Sequence, residues 1–395
     1  MCLESQKGSP SYNDLASRHE AVFNKSATKQ AISKKATDSC VLFFQAVLAA
    51  IMLSKFSKAN VEVIRNIGKY KRILVQDSTI IKLPFKLYEI FSGVSNASTS
   101  ACNARIQGVY DLISGNFISF SIDTYRVNDA SVAQNLFICN GDLVLRDRGY
   151  FSISELKRHI EVGADCIYRY KTKTTFFEPQ TDKVIDLLNL LKSQGRLDME
   201  VCLNDNYRTK VRLVAMPVSE EVANQRRRKA KKETMGHNPS KLVLELMGWT
   251  IFVTTISDEK VDFAKILIIY GLRWRIEIIF KSWKSNLQFA KVHNVSETQL
   301  KILLTARFIM IVIYMHDIYN PWSHRIRIIS KKELSLLKLI KYLVKNPEKL
   351  IDLLLINENP NHHKINALEN NLIRYCTYDK RKRLNFNQIL QQELS

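Results

Sequence analysis

Glycine is scarce: 12 residues in a chain of 395, against an average near ~7%. No G-x-G-x-x-G and no G-x-x-x-x-G-K-[ST] occurs, so a dinucleotide-binding or P-loop reading has no support. Seven cysteines are present (Cys2, Cys40, Cys102, Cys139, Cys166, Cys202, Cys376), and none stands in C-x-x-C spacing. This argues against a zinc ribbon and against a disulfide framework, and a reducing cytosol fits best. Long apolar runs are also missing. The longest, Ile302–Met315, is interrupted by Arg307 and falls short of the roughly 20 residues that a membrane span requires, so it reads as a buried helix. Leu42–Leu53 is shorter and carries Gln45. The N-terminal MCLESQKGSPSYND has no apolar core, and no signal peptide is expected.

What the chain does have is positive charge: 59 Lys+Arg against 38 Asp+Glu, a net +21 at pH 7. Such a surface attracts polyanions and releases counterions when it binds phosphates, so nucleic acid is the first partner implied, well ahead of an anionic membrane. Hydrophobic residues at 46% and charged residues at 25% are ordinary globular values and rule out wholesale disorder. The length allows two or three domains.

Residues 1–70 read as polar and helical, with Ser26 able to cap a helix over Thr28–Lys35 and Asp38 a second over Val41–Ser54. From about 71 the pattern turns to period two. KRILVQDSTIIKLP reads as a strand, with Ile73, Val75, Asp77 and Thr79 on one face. RIQGVYDLI and FISFSIDTYRV flank the turn Ser114-Gly115-Asn116 and predict a hairpin. GDLVLRDRGY predicts a strand ending at Arg148-Gly149, followed by a helix over Ile153–Ile160 capped by Ser152 and a strand over Cys166–Tyr170. An irregular insertion spans about 171–247, with a strand at Val211–Ala215 and the basic run Arg226-Arg227-Arg228-Lys229-Ala230-Lys231-Lys232. A buried strand, Trp249–Ile256, then a helix from Asp262 to about Leu287, and further helices end in the basic tail Lys380–Arg383. The order of elements predicts a mixed α/β sheet with an inserted subdomain. It divides the chain into a helical N-terminal region (1–70), either a DNA-binding module or a plain packing layer, a mixed α/β domain (71–290), the candidate catalytic domain, and a helical C-terminal region (291–395), a candidate dimerisation surface.

The helix over 262–287 is the most informative. At about 100° per residue, Tyr270, Arg273, Glu277, Lys281 and Lys284 share one arc, with Trp274 beside it, while Leu272, Ile276, Ile279 and Trp283 share the opposite face. The plain reading is an amphipathic helix whose charged face is solvated, with i,i+4 pairs worth a few tenths of a kcal/mol each. The sharper reading is a carboxylate ringed by phosphate-binding cations. Asp77 favours the second, because a lone Asp on an otherwise apolar strand is costly unless it is paired or binds metal. Asp147, at the end of LVLRD, sits where α/β sheets form ligand crevices. Three carboxylates from two strands and a helix suit two hard divalent ions about 3.5–4 Å apart. Asp111, Asp123, Asp129 and Asp142 compete for the role. Asp142 opens its strand, at the end away from Asp147. His362-His363, in ENPNHHK, read as loop residues.

The run Tyr270-Gly-Leu-Arg273-Trp-Arg-Ile-Glu277-Ile-Ile-Phe-Lys-Ser-Trp-Lys284 fits Y-x2-R-x3-E-x6-K. It resembles the C-terminal signature of bacterial DDE transposases of the insertion-sequence-4 family. Val75-Gln76-Asp77-Ser78-Thr79 resembles the first Asp motif of that family, and Leu145-Arg146-Asp147-Arg148-Gly149-Tyr150-Phe151 its second. The long stretch between Asp147 and Glu277 is similar to members with a β-rich insertion before the Glu. The resemblance implies a ribonuclease-H-like core and cut-and-paste transposition, with Asp77, Asp147 and Glu277 as a catalytic, metal-binding triad for Mg²⁺ (Mn²⁺ able to substitute). It implies double-stranded DNA partners, both inverted-repeat ends and target, and a hairpin intermediate. Tyr270, Arg273 and Lys284 would contact end DNA, joined by Lys281, by Trp274 as a base-stacking candidate, and by Arg226, Arg227, Arg228 and Lys229 on the backbone. A homodimer when the ends are paired and a bacterial cytoplasmic, nucleoid-associated location follow, with no membrane partner. Two narrower readings stay open: a ribonuclease-H-like nuclease without strand transfer, and a non-catalytic DNA-binding remnant of a decayed element.

Overall fold

A computed structural model describes residues 10–55, 70–93, 100–233, 238–355 and 362–379. The basic tail Lys380–Arg383 lies outside the described residues. The N-terminal region is helical because its polar residues cap helices. Ser11 and Asp14 form a reciprocal capping box on α1 (Tyr12–Phe23). The next helix, α2 (Lys29–Lys34), starts too late for Ser26, and Thr28 caps it by accepting from the Ala31 N–H at 3.1 Å. Then comes α3 (Asp38–Lys55).

The period-two segments form β1 (Arg72–Lys82) and the hairpin β2 (Asn103–Asp111)–β3 (Asn116–Thr124). Gly115 turns that hairpin at φ 70°, where glycine carries no Cβ penalty. After α4 (Asp129–Ala133) and β4 (Asp142–Arg146), Ser152 caps α5 (Ile153–Val162) and left-handed Gly163 ends it ahead of β5 (Asp165–Arg169). The insertion holds β6 (Phe176–Phe177), α6 (Leu187–Gln194), β7 (Leu197–Leu203), β8 (Lys210–Pro217), α7 (Glu220–Glu233) and α8 (Lys241–Leu246). β9 (Trp249–Thr254), α9 (Phe263–Gly271), α10 (Trp274–Asn286) and α11 (Glu297–Ile313) follow. A π-helical turn (Tyr314–Tyr319) leads into α12 (Asn320–Ser330), α13 (Leu336–Lys345), α14 (Pro347–Leu355) and α15 (His362–Tyr375).

The strands line up in the order β3-β2-β1-β4-β5-β9-β8-β7-β6. β1–β4 and β4–β5 are parallel, whereas β2–β3, β5–β9, β9–β8, β8–β7 and β7–β6 are antiparallel. This is the ribonuclease-H-like mixed α/β core that the motif resemblance implies. The insertion strands add to β9, so they lengthen the sheet instead of interrupting it.

Two compact units interleave along the chain. The first comprises Met1–Ile64, Gln76–Val127 and Trp274–Gln392, and the second Arg65–Val75, Asn128–Arg273 and Glu393–Ser395. In the first, Trp283 is buried against Phe117, Phe280 and Phe289, and Phe120 stacks on Phe308 at 4.4 Å. Arg307, which interrupts the apolar run, is buried there too and donates to the carbonyls of Phe289 and Lys291, each at 2.7 Å. Among the described residues one helical stretch, Glu297–Ser330, has the length and apolarity to cross a membrane, but 83% of its apolar window is buried inside the protein. In the second unit, Leu143, Val144, Leu145, Cys166, Ile167 and Tyr168 are all inaccessible, as parallel strands covered on both faces should be.

Two further expectations are corrected. The helix read over 262–287 is two helices, parted at Leu272-Arg273, where the N–H groups of both residues bond three residues back. Gly271, a poor helix former, precedes the break. His362 and His363 lie in the first turn of α15 and not in a loop.

His159 is wholly buried, and its Nδ1–H donates to the Glu155 carbonyl at 2.6 Å. Burial first, and then the Arg146 charge, push its pKa from 6.5 down to about 4. A depressed folded-state pKa contributes stability above the unfolded value and loses it as pH falls through the folded one. His159 should therefore withdraw about 3 kcal/mol between pH 7 and pH 4. The fall in unfolding midpoint over that range should be visibly shallower in His159→Leu, and parallel curves would refute this.

Candidate active site

The parallel β1–β4 ladder runs in register from Arg72↔Asp142 to Val75↔Leu145. Asp77 and Asp147 each stand two residues beyond that last pair on their own chain segment. Both are half-buried. Asp77 accepts from the Ser78 N–H at 2.8 Å. Asp147 leads a tight turn, its carbonyl accepting from the Tyr150 N–H at 3.1 Å. Its carboxylate accepts from the Tyr270 hydroxyl at 3.4 Å, across 123 residues of sequence.

Tyr270 is 6% exposed, and burial pushes its phenol up to about 12, against the opposing charge of Arg273. The Arg273 guanidinium lies 5.6 Å from the centre of the Tyr270 ring and is equally buried. Both residues belong to the end of α9 and the turn after it, so the single-helix arc that groups them with Glu277 does not apply to them. The phenol stays protonated at neutral pH and can act only as a donor to the carboxylate.

In the first unit, Glu277 is half-buried on α10 and Lys281 is exposed. Lys284 Nζ donates to the Ile80 carbonyl at 2.8 Å, tying α10 to the C-terminal part of β1, and partial burial lowers its pKa. Trp274, at 59% exposure, is open to solvent and not packed. The opposite stripe is core as expected, with Leu272, Ile276, Ile279 and Trp283 all buried.

Several competing acids have structural work. Asp142 is buried and takes both arms of Arg72, at 2.8 and 2.5 Å, plus the Cys139 N–H at 2.7 Å. Asp111 accepts from the Ile113 and Ser114 N–H groups at 3.1 and 3.2 Å and holds the hairpin turn. Asp123 accepts from Ser121 Oγ at 2.6 Å. Asp129 lies against Gly149, where an added Cβ would sit 3.2 Å from its Oδ2.

The basic run lies on α7 and is not uniform. Arg226 donates to the Trp249 carbonyl at 3.0 Å and to Thr250 Oγ1 at 2.9 Å. Arg227 donates to the Leu244 carbonyl at 3.1 Å and to Glu220 at 2.6 Å. Arg228 and Lys229 are exposed. Sequence reasoning missed Arg146, Glu155 and Arg158, which form a buried ionic network beside Asp147. The signal was there: Arg146 ends the otherwise apolar strand LVLR. Among the described residues, no group of three or more His, Cys, Asp or Glu gathers as a metal site.

Asp77 stands within β1, Asp147 follows the end of β4, and Glu277 lies on α10; acids on strands and a helix of a mixed α/β fold are the residue types used by enzymes of metal-dependent phosphoryl transfer. The chain belongs to the family described as the transposase DDE domain, which matches residues 69–313. It is similar to the transposase for insertion sequence element IS231F of Bacillus thuringiensis subsp. israelensis, at 27% identity over 82% of this chain and 73% of that one. It is also similar to the transposase for insertion sequence element IS1151 of Clostridium perfringens, at 26% identity over 84% of this chain and 76% of that one. Among solved structures, a piggyBac transposase synaptic complex with hairpin DNA aligns at TM-score 0.39 and 11% identity, over 81% of this chain and 60% of that one.

The division within α7 has a measurable consequence. Arg226→Ala leaves acceptors on β9 unmet and should lower stability by about 1–3 kcal/mol. Arg228→Ala should leave the unfolding midpoint unchanged and make the dependence of DNA affinity on log salt shallower by about one. The opposite pattern in thermal melts and salt titrations would overturn these assignments.

Proposed function

We propose that this DDE transposase cuts DNA at the inverted-repeat ends of its own element and joins the freed ends to target DNA. Asp77, Asp147 and Glu277 are the reacting-site carboxylates. The observation that carries this reading is the hydrogen bond from Tyr270 to Asp147. It joins the second acidic motif to the Y-x2-R-x3-E-x6-K motif in space. All three carboxylates are half-exposed, whereas Asp142 and Asp111 are buried and bonded within the fold.

The donor set suits a hard divalent cation, since all three are carboxylates and none is a thiolate or imidazole. Mg²⁺ bound there would supply an activated water and charge neutralisation at the phosphate. The protein's own share is positional. Tyr270 holds Asp147 through its hydroxyl. Arg273 offers a planar fork for a phosphate, and Lys281 and Lys284 add point charges. Exposed Trp274 can stack on a base displaced from a bent or hairpin end. Arg228 and Lys229 on α7 contact the backbone farther along. Pairing two ends requires two copies, so a homodimer forms on DNA.

The test is cutting of DNA that carries the gene's flanking sequence, with Mg²⁺ or with EDTA. Glu277→Ala should abolish cutting and leave DNA affinity within about twofold, because the basic surface is untouched. A mutant that cuts like wild type would remove Glu277 from the site, and cut but never joined products would favour a nuclease. Lys284→Ala should weaken binding and reduce the salt slope by about one phosphate contact. An unchanged slope would leave Lys284 with only its bond to the Ile80 carbonyl.

A further inference from the structure

The residue before Asp147 is a wholly buried arginine. Arg146 Nη1 donates to Glu155 Oε2 at 2.7 Å and to the Tyr168 hydroxyl at 2.9 Å, and Nη2 donates to the Ala133 carbonyl at 3.0 Å. Arg158 closes the network from the rim. Its Nε and Nη2 donate to the two Glu155 oxygens, each at 2.9 Å, and Nη1 donates to the Leu136 carbonyl at 2.9 Å. Glu155 is inaccessible, and the residues that the network joins, Ala133, Leu136, Arg146, Tyr168 and Arg158, come from α4, the segment after it, β4, β5 and α5. All of these residues lie in the second unit.

Stability does not explain this arrangement. Burying a charge triad costs desolvation, and well-packed apolar side chains of similar volume would hold the same elements as firmly or more so. What the triad supplies is directional constraint. A planar guanidinium with three fixed acceptors fixes the orientation of the β4 terminus, and the next residue is Asp147. The far side of the turn is tied to the same group, because Arg146 lies 5.8 Å from the ring centre of buried Tyr150. Phe151 then packs edge-on to Tyr168 at 5.8 Å. The Asp147 carboxylate itself accepts a long 3.4 Å bond from Tyr270. Its placement therefore depends on the residues on either side of it.

We propose that Arg146, Glu155 and Arg158 are positioning residues that hold the Asp147 carboxylate in its reactive orientation. This rests on the reading of Asp147 as a reacting-site carboxylate. Groups that orient a metal-holding side chain typically change affinity or activity by about 10–100-fold when lost.

The decisive variant replaces all three at once: Arg146→Met, Glu155→Leu and Arg158→Met. No charge is left stranded, which offsets the loss of the bonds to the Ala133 and Leu136 carbonyls and the Tyr168 hydroxyl, so its melting temperature should stay near that of wild type. Mn²⁺ affinity of the full chain on end DNA, read by electron paramagnetic resonance, should fall at least about tenfold. Cutting should fall with it, while DNA affinity stays unchanged. A folded triple variant with wild-type Mn²⁺ affinity and cutting would overturn the proposal. If the triple variant does not fold, Arg158→Lys serves instead. It keeps the charge at the rim and loses the fork, and it should raise the Mn²⁺ concentration for half-maximal cutting with little change in melting. No change there would equally overturn the proposal. Wild type that neither binds Mn²⁺ nor cuts would sink the transposase reading itself, a different outcome from either variant result.

Discussion

The parallel pairing of β1 with β4 sets where every acidic side chain on those two strands can go. Side chains alternate along a strand, so a one-residue slip would send the whole set to the other face. The register is pinned at one end by the two-armed ion pair of Arg72 with Asp142 and along its length by the buried residues Ile73–Val75 and Leu143–Leu145. Asp142 and Asp147 stand at opposite ends of one five-residue strand. The first is consumed by holding register, and the second is left half-exposed beyond it. Two carboxylates five residues apart thus differ in exposure because one takes the paired bonds of Arg72 and the other accepts only a long bond from Tyr270.

The chain's positive charge divides in a similar way. Part of the net +21 never faces solvent. Arg146, Arg275 and Arg307 are buried, and Arg226 and Arg227 turn toward backbone carbonyls. Arginine suits this task because its planar, weakly hydrated fork can satisfy several fixed acceptors at once, where a lysine ammonium stays strongly hydrated. Composition therefore overstates the charge available to a polyanion. The exposed part includes Lys281, Arg228 and Lys229.

The Y-x2-R-x3-E-x6-K spacing spans a helix end, a turn and a second helix, so its residues do not lie on a single helix face. Tyr270 and Arg273 are buried, Tyr270 bonded to Asp147 and Arg273 against the Tyr270 ring, and Glu277, Lys281 and Lys284 follow on α10. The turn at Leu272-Arg273 follows the buried donor Tyr270, and the half-exposed acid Glu277 comes after it on α10. Buried Tyr270 can fix an acid in place, whereas a solvated tyrosine on an open helix face would exchange that bond with water.

Much was legible in the sequence because it is local. A period-two pattern located β1, a turn flanked by two strand-like runs gave the β2–β3 hairpin, and short apolar runs located β4, β5, β8 and β9. Ser152 marked the start of α5, and the Ser114-Gly115-Asn116 turn marked the hairpin. The apolar stripe Ile276, Ile279 and Trp283 located the core face of α10, and the motifs identified the family. Other features depend on partners far along the chain. A helical wheel could not show the break after Gly271, nor that Tyr270 would meet Asp147. The basic run gave no sign that Arg226 and Arg227 would turn inward while Arg228 stayed out. Residue types and their spacing were thus determined by the sequence alone, because periodicity and capping act over a few residues. Which charges are buried, and which carboxylates are left exposed, was decided only by the tertiary structure, because a side chain's solvation depends on what packs over it.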